Sequence, residues 1–248
     1  DSACITPPIS LSDEVLATVV DYTVRLADAI RVKGLINVQY VVKDGEVLVI
    51  EANPRASRTV PYLSKAIGHP LAKYAALVSA GRTLVDLGFT EMPRPTFYSV
   101  KEVVLPFLKF AGVPPLLGPE MRSTGESMGI DTDPYLAYYK AQLGANVRLP
   151  DEGRVRLVGD GLDAVAARAA ALGFEVVRGV PDDLEAVADD ALVVDVEHGS
   201  TLLRRALEEG VAYVTSREAA AWTVAALEAV RATAPTVRPL QDLYPVAR

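Results

Sequence analysis

The hydrophobic positions in the first part of the chain follow first helical and then strand spacing. A run after residue 12 repeats at helical spacing and predicts a helix that Ser10 or Ser12 caps and that Gly34 follows. Its predicted core-facing stripe consists of Val15, Val19, Leu26 and Ile30. Pro70 and Gly81 bracket a second predicted helix. The rest of this part is rich in proline and glycine, and in it we predict a strand at Tyr98–Leu105 and a helix at Tyr135–Leu143.

Two β-rich runs around an Asp-Gly pair, residues 35–42 and 47–51, predict a β-hairpin. The hairpin carries polar side chains that an ordinary core hairpin lacks, namely Asn37, Gln39, Glu51 and Asn53. Residues two apart point to the same face of a strand, so each strand points its polar pair to one side. Whether the two pairs share a face depends on the register of the hairpin.

The register depends on the length of the turn. A two-residue Asp-Gly turn would place Gln39 opposite Ile50 and mix amides with aliphatic side chains. A three-residue Asp-Gly-Glu loop would instead place Gln39 opposite Glu51. The same loop would place Asn37 opposite Asn53. We favour the three-residue loop because it separates the polar side chains from an apolar face made of Ile36, Val38, Tyr40, Val42, Leu48 and Ile50.

After residue 150 the pattern changes to a regular alternation of short apolar runs and alanine-rich helical runs. This alternation predicts a parallel sheet covered by helices, on which ligands bind at the carboxyl ends of the strands. The predicted strands are 155–158, 175–178, 192–196 and 213–215, and the predicted helices are 162–172, 202–209 and 219–232, with a helical turn near 184–187.

Charge divides the chain at the same place. The 248 residues carry a net charge of -7. Residues 1–150 balance 15 acidic against 15 basic side chains, whereas residues 151–248 carry 17 acidic side chains against 10 arginines. We therefore predict two domains, 1–145 and 146–248. The chain starts in a polar stretch without methionine, so we expect a fragment of a longer protein.

Composition excludes several functional classes. The acidic balance argues against nucleic acid as a partner, because phosphate backbones need a basic surface. No apolar run approaches the roughly 20 residues that span a membrane. Cys4 is the single cysteine, which excludes an internal disulfide and favours a reducing, cytoplasmic location.

The hairpin chemistry indicates a cation and a phosphate. Glu51 with amide oxygens around it suits magnesium, which takes oxygen ligands and keeps waters and phosphate oxygens in its shell. Arg55 and Arg58 follow directly and suit a phosphoryl group in transfer, whose charge grows on its peripheral oxygens. The alternative is a solvated polar strand face with surface arginines.

Three stretches carry a resemblance to a known family. Residues 37–40 with Ile-Glu-Ala-Asn-Pro-Arg-Ala-Ser-Arg-Thr-Val-Pro at 50–61 look like the metal and phosphate segment of ATP-grasp ligases. With Tyr-Ser-Val-Lys-Glu-Val-Val-Leu-Pro-Phe at 98–107 and Leu-Gly-Pro-Glu-Met-Arg-Ser-Thr-Gly-Glu at 117–126, the chain is similar to the carbamoyl-phosphate synthetase large subunit. The implied α/β fold class is the C-terminal part of an ATP-grasp domain (α+β), followed by a small Rossmann-like parallel α/β domain.

The resemblance implies roles for the hairpin residues. Gln39, Glu51 and Asn53 would hold Mg²⁺ or Mn²⁺, with Gln39 and Glu51 also close to ATP. Arg55 would stabilise phosphate transfer, and Arg58 would contact phosphate or substrate.

The resemblance also implies a reaction and partners. This half of the family's large subunit phosphorylates carbamate with ATP for pyrimidine and arginine biosynthesis, while the other half phosphorylates bicarbonate and a glutaminase small subunit supplies ammonia. The elements that clasp adenine would lie upstream of Asp1, so we expect this chain to be inactive alone and to need the N-terminal part of the large subunit. Ser2 resembles a ligand of the family's potassium (K⁺) site.

The second domain resembles the family's methylglyoxal-synthase-like allosteric domain, where loops at strand ends bind the phosphate of UMP. The corresponding loops here are residues 178–181 and 195–200. Asp195 and Glu197 would repel a phosphate, and the family's threonines are missing, so we predict weakened or absent UMP inhibition.

Four positions match the family's site for its activator, ornithine: Asp1, Glu102, Tyr213 and Thr215. Two carboxylates and two hydroxyls suit a diamine amino acid, and a ligand held by both domains could couple them. Alternatively, Tyr213 simply ends a strand and Glu102 pairs with Lys101 or another cation. We predict a solvated helix face for Arg204 and Arg205.

Two other functions compete with this interpretation. Another ATP-grasp ligase, such as a biotin carboxylase, would share the hairpin chemistry but not the Pro-Arg-Ala-Ser-Arg-Thr-Val-Pro continuation. A non-catalytic effector-binding module would keep only the role of the second domain.

Overall fold

A computed structural model describes residues 2–110, 112–118 and 120–244, apart from the side chain of Ser200. The described strands are β1 (Cys4–Thr6), β2 (Asn37–Lys43), β3 (Glu46–Asn53), β4 (Tyr98–Val104), β5 (Gly125–Asp131), β6 (Arg154–Val158), β7 (Glu175–Arg178), β8 (Asp190–Asp195) and β9 (Ala212–Val214). The described α-helices are α1 (Asp13–Ile30), α2 (Thr59–Ile67), α3 (Leu71–Ser79), α4 (Pro134–Gly144), α5 (Asp163–Ala171), α6 (Ser200–Glu208), α7 (Arg217–Ala232) and α8 (Leu240–Leu243). Short 3₁₀ helices lie at Phe107–Lys109 and Leu184–Asp189.

The chain forms two compact units. One contains the residues up to Ile5 together with Phe97–Val237, and the other contains Thr6–Thr96 together with the described residues from Arg238 onward. We call them the sheet unit and the hairpin unit. The boundary at 145/146, predicted from charge and composition, stays a prediction.

Strands β2 and β3 form the predicted hairpin, but its turn differs from the one we favoured. Lys43 pairs with Glu46, so the turn has two residues, and Asp44 and Gly45 both have positive φ values (51° and 82°). This geometry matches the right-handed twist of the strands, which is why Asp-Gly favours it. The three-residue loop is therefore wrong.

The pairing predicted farther along the hairpin is nevertheless correct. Tyr40 pairs with Val49 and Gln39 pairs with Glu51, so Ile50 is an extra residue in a β-bulge. The bulge shifts the register by one residue in the middle of the ladder. It also changes the predicted apolar face, because Leu48 and Ile50 are exposed (52% and 59%).

Helix α1 packs against the hairpin. The Ser12 hydroxyl accepts a hydrogen bond from the N–H of Val15 (3.4 Å), which confirms one of the two predicted caps. The Thr23 and Tyr40 hydroxyls lie 2.7 Å apart and join α1 to β2. The helix ends earlier than Gly34, with Arg31 in the left-handed conformation, and the predicted core residue Ile30 is exposed.

In the sheet unit, β1, β4 and β5 form a sheet in the order β1-β4-β5, with β4 and β5 antiparallel. Helix α4 packs on β5 at Gly129, where a Cβ atom would lie 1.9 Å from the Ala137 carbonyl oxygen. A side chain at this position would force the helix away from the strand. The Asp133 side chain caps α4 by accepting hydrogen bonds from the N–H groups of Tyr135 and Leu136.

The predicted parallel sheet is confirmed. Its order is β7-β6-β8-β9, and each neighbouring pair is parallel. Strand β8 is central and almost completely buried, as the apolar run Leu192–Val194 predicts. One apolar cluster includes residues of α4, β6, β8 and α7, so α4 belongs to the core of this unit. Among the described helices, none has both the length and the apolar character to span a membrane.

Candidate active site

The hairpin gathers the polar residues that the sequence singled out. Gln39 pairs with Glu51, and Asn37 pairs with Asn53. Directly paired residues in an antiparallel ladder point to the same face, with Cβ atoms about 5 Å apart. The four side chains therefore occupy one end of one hairpin face.

The carboxylate and one amide are already in contact. The Asn53 Nδ2 atom donates to Glu51 Oε1 at 2.9 Å, which holds the two side chains together at the end of β3. Both Glu51 and Gln39 are exposed, and Asn53 is half-buried. This arrangement presents carboxylate and amide oxygens to a ligand from outside.

The donor set fits a hard cation. It combines one carboxylate with amide oxygens, the ligands that magnesium or manganese takes together with water and phosphate. Among the described residues, no group of three or more His, Cys, Asp or Glu side chains could hold a metal ion.

The two candidate arginines lie in the loop that leads from β3 to α2. The Arg55 N–H bonds to the Asn53 carbonyl oxygen at 2.8 Å, which makes a tight turn, and its guanidinium donates to the Ala56 carbonyl oxygen at 3.0 Å. Arg58 is the residue before α2 and adopts helical backbone angles. Both arginines are exposed and follow Glu51 within seven residues.

Exposed aliphatic side chains surround the polar set. Val41 and Leu48 pair on the same hairpin face and are 42% and 52% exposed, and the bulged Ile50 is 59% exposed. A contiguous apolar patch next to polar groups is typical of a surface that another element or a ligand covers.

Of the four predicted effector residues, Glu102 has the most unusual environment. Its carboxylate accepts hydrogen bonds from the Val103 N–H (3.0 Å) and from Gln142 Nε2 (2.5 Å). Burial raises the pKa of this carboxyl group, against the lowering effect of its hydrogen bonds and of Lys101. Lys101 itself pairs with Glu126 at 3.4 Å. A half-buried carboxylate held by amides rather than by a cation suits a cationic ligand.

Tyr213 and Thr215 lie at the end of β9, and Asp1 lies outside the described residues. The Tyr213 ring packs against a second apolar cluster, which includes Leu202 and Ala206, and burial raises the pKa of its hydroxyl. The Thr215 carbonyl oxygen lies 3.0 Å from His198 Nε2. Among the described residues, no hydrogen bond joins Glu102 to Tyr213 or Thr215.

The loop after β8 is held by its own carboxylate. Asp195 is fully buried and accepts hydrogen bonds from the N–H groups of Glu197 (3.0 Å) and Gly199 (2.8 Å). These amides immediately precede α6, where a bound phosphate would otherwise find donors. The other predicted phosphate loop begins at Arg178, whose guanidinium pairs with Asp163 at 2.6 Å.

Comparison with known proteins gives a consistent answer. A family model described as "Carbamoyl-phosphate synthase L chain, ATP binding domain" matches residues 1–87. The carbamoyl phosphate synthase large chain of Deinococcus deserti is 57% identical over 98% of this chain and 23% of its own length. The large chain of Thermus thermophilus is 54% identical over 98% of this chain and 23% of its own length. That of Methanosarcina barkeri is 42% identical over 93% of this chain, and the match covers 67% of its length.

The chain belongs to the carbamoyl phosphate synthase large-chain family. It spans about a quarter of the length of the Deinococcus deserti and Thermus thermophilus proteins (23% of each). The α/β fold class predicted from the sequence is confirmed, with an ATP-binding domain followed by a parallel sheet. The biotin carboxylase domain of a single-chain bacterial carboxylase has a TM-score of 0.44 at 19% identity, covering 54% of this chain and 37% of that one.

Sequence reasoning missed two arginine sites. Arg204 does not lie on a solvated helix face, since its side chain is 16% exposed and donates to the carbonyl oxygens of Phe107 (3.2 Å) and Phe110 (2.9 Å). Arg205 pairs with Glu185 and with Glu209. The contacts with Phe107, Phe110 and Glu185 come from segments distant in sequence, which helical spacing does not reveal. The Arg205–Glu209 pair lies one helical turn apart and follows from helical spacing.

The second missed site is a buried ion cluster. Asp190 has no exposed side-chain surface, and it pairs with Arg154 and, at 2.6 Å, with Arg156. The alternation of Arg154 and Arg156 puts both on one face of β6. That spacing is the one sequence signal that could have predicted a shared partner.

Proposed function

We propose that this chain is the part of a carbamoyl phosphate synthase large chain that supplies the metal-holding and phosphate-stabilising side chains for phosphorylation of carbamate by ATP. The observation that carries the proposal is the pairing of Gln39 with Glu51, with Asn53 hydrogen-bonded to the same carboxylate. Its family membership supplies the substrate class, since the relatives are named as carbamoyl phosphate synthases.

In this proposal each residue has a chemical task. Glu51, Gln39 and Asn53 hold Mg²⁺ or Mn²⁺, which neutralises charge on the phosphates of ATP when it is bound. Arg55 donates hydrogen bonds to the peripheral oxygens of the phosphoryl group in transfer, where negative charge accumulates. Arg58 orients the phosphate or the carbamate. The P–O bond to ADP breaks, and a new P–O bond forms to a carbamate oxygen. That oxygen is already deprotonated, so no base is required.

Glu51→Gln in a complete large chain tests the proposal. The reverse reaction, in which carbamoyl phosphate and ADP give carbamate and ATP, isolates this step. We expect Glu51→Gln to lower its rate about 100-fold, the usual cost of one preorganised electrostatic contact. Glu46→Gln, at the exposed turn end of the same strand, is the matched control and should keep the rate. Equal rates in both variants would show that Glu51 has no role in this reaction.

A specific observation favours an incomplete site. Gln39, Glu51 and the aliphatic residues near them are exposed on one hairpin face, so a further element is needed to enclose ATP. We propose that the N-terminal part of the large chain provides it and that this chain is inactive alone. Adding that region should switch on ATP-dependent carbamate phosphorylation. If activity stays absent, the alternative of a non-catalytic effector-binding module is favoured.

We also propose that residues 146–248 form a methylglyoxal-synthase-like domain that binds effectors. The half-buried Glu102 supports an ornithine site, and Glu102→Ala in the complete enzyme should abolish ornithine activation. Loss of activation in Glu102→Ala but not in Glu126→Ala would distinguish a ligand contact from a general effect on this sheet.

UMP should bind weakly. Asp195 already occupies the amide groups before α6 and brings negative charge to the place where a phosphate would lie. Calorimetry should detect no micromolar UMP binding, and a micromolar dissociation constant would contradict the proposal.

Three further features rest on the family. A glutaminase small subunit would supply ammonia, K⁺ would bind near Ser2, and the product would feed pyrimidine and arginine biosynthesis. The cytoplasmic location stays a prediction from composition. Copurification of a glutaminase with the complete large chain would test the partner.

A further inference from the structure

The end of the described chain returns to the hairpin unit. Helix α7 belongs to the sheet unit, but the residues from Arg238 onward, including α8 and Tyr244, belong to the hairpin unit. The last segment therefore crosses from one unit to the other and contributes side chains to the second.

Tyr244 covers the C-terminal end of α2. Gly68 ends this helix in the left-handed conformation (φ 71°), and a Cβ atom on it would lie 2.7 Å from Cγ and Cδ1 of Tyr244. Real Cβ atoms do not come so close to a ring. Both the positive φ value and the contact with Tyr244 therefore require glycine at position 68. The ring lies directly on the glycine backbone.

The Tyr244 hydroxyl donates a hydrogen bond to a backbone carbonyl at the C-terminal end of α2. The Ala66 carbonyl would normally accept from the N–H four residues later, but that residue is Pro70, which has none. Ala66 is fully buried, and the Tyr244 O–H donates to its carbonyl oxygen. Because a buried carbonyl without a partner destabilises its surroundings, this hydrogen bond fixes the end of the helix.

The opposite end of α2 carries the candidate phosphate residues. The helix has nine residues, so it is about 13 Å long at 1.5 Å per residue. Arg58 immediately precedes it, and Arg55 lies three residues before that. A short, rigid helix restrained at one end also restrains the loop at its other end.

We propose that Tyr244 is a positioning residue, which fixes α2 and through it the loop that carries Arg55 and Arg58. This role in phosphoryl transfer rests on the proposed function, whereas the restraint of α2 does not.

Amide hydrogen exchange on this chain tests the restraint. In Tyr244→Phe the ring stays and the hydroxyl is lost, and in Tyr244→Ala both are lost. We expect exchange at residues 63–68 to be about ten times faster in Tyr244→Phe, and faster still in Tyr244→Ala. Tyr22→Phe, which keeps its ring contact with Arg25, is the matched control. Unchanged exchange in both Tyr244 variants would overturn the proposal.

Kinetics of the reverse reaction in a complete large chain test the positioning. A displaced arginine loop should raise the KM for carbamoyl phosphate about five-fold in Tyr244→Phe and leave the KM for ADP within about two-fold. A merely unstable protein would lose rate without a change in either KM, and that result would overturn the positioning role. If the wild-type large chain lacked this reaction altogether, the proposed function would fail, and the exchange result would still decide whether Tyr244 restrains α2.

Discussion

The hairpin and the parallel sheet treat their polar groups in opposite ways. On the hairpin, Gln39 and Glu51 are exposed at one end of a face that also presents aliphatic side chains. In the parallel sheet, Asp190, Asp195 and Arg156 are buried and bonded within the chain. Exposed groups on a two-stranded hairpin can meet a ligand or another element, whereas buried and bonded groups hold the fold. The exposed hairpin groups therefore form a candidate site, and the buried groups of the parallel sheet form a scaffold that stabilises the fold.

The largest expected effect belongs to the scaffold. Asp190→Ala leaves the guanidinium groups of Arg154 and Arg156 without their buried partner and should cost about 3–5 kcal/mol of unfolding free energy. Asp189→Ala is the matched control, since Asp189 is 77% exposed and pairs with Arg154 only at 3.8 Å. Urea denaturation should show less than about 1 kcal/mol for the control. Similar losses in both variants would contradict the division between buried and exposed charges.

A second prediction concerns the glycine under Tyr244. Gly68→Ala combines positive-φ strain with a clash and should cost about 3 kcal/mol. Gly81→Ala has the same kind of strain (φ 97°) but no atom within 4 Å of the new Cβ, and it should cost about 1 kcal/mol. Introducing Tyr244→Ala together with Gly68→Ala should bring the cost of the glycine change down to that of Gly81→Ala. A cost that does not depend on Tyr244 would show that the ring does not press on Gly68.

The smallest expected effect concerns Glu102, a half-buried residue of β4 whose side-chain pKa is raised by burial. Because its folded-state pKa lies above the ordinary value of 4.5, the folded state binds more protons, and ionisation destabilises it as the pH rises through the raised pKa. Glu102→Gln should therefore be more stable than wild type at pH 7. The difference should vanish below the ordinary pKa.

Thermal unfolding at pH 4 and pH 7 measures this effect. Glu126→Gln, which removes the partner of Lys101 on the neighbouring strand, should gain no stability at pH 7. A Glu102→Gln variant that is less stable than wild type at pH 7 would contradict the account of its burial.

The parallel sheet could be predicted because its signals are local. An apolar run marks strand β8, and Ser216 caps helix α7. The neighbouring elements follow the same alternation of strands and helices. Helix α2 was missed because Arg58 does not cap it and Pro61 lies in its first turn. Strand β5 was missed because it contains Gly125 and Gly129, and only the close approach of α4 explains Gly129.

The hairpin shows a different limit of sequence reasoning. Separating polar from apolar residues predicted the pairing of Gln39 with Glu51 correctly, but it assigned the extra residue to the turn. The residue lies at Ile50 instead, because Asp-Gly favours a two-residue turn and a bulge can absorb one residue anywhere along the ladder. The pattern of polar and apolar residues therefore identified the paired residues, and the backbone twist at the turn determined where the extra residue lies. The contacts of Tyr244 and Arg204 depend on distant segments and had no comparable signal.

Binding of Mn²⁺ is the most direct test that the exposed hairpin residues form a site. Electron paramagnetic resonance can measure free Mn²⁺ in a complete large chain with ADP and carbamoyl phosphate present. We expect Glu51→Gln to weaken Mn²⁺ binding in this half at least about 10-fold and Glu46→Gln to leave it unchanged. Equal Mn²⁺ binding by Glu51→Gln and Glu46→Gln would contradict the account, because the exposed carboxylate would then be an ordinary surface group.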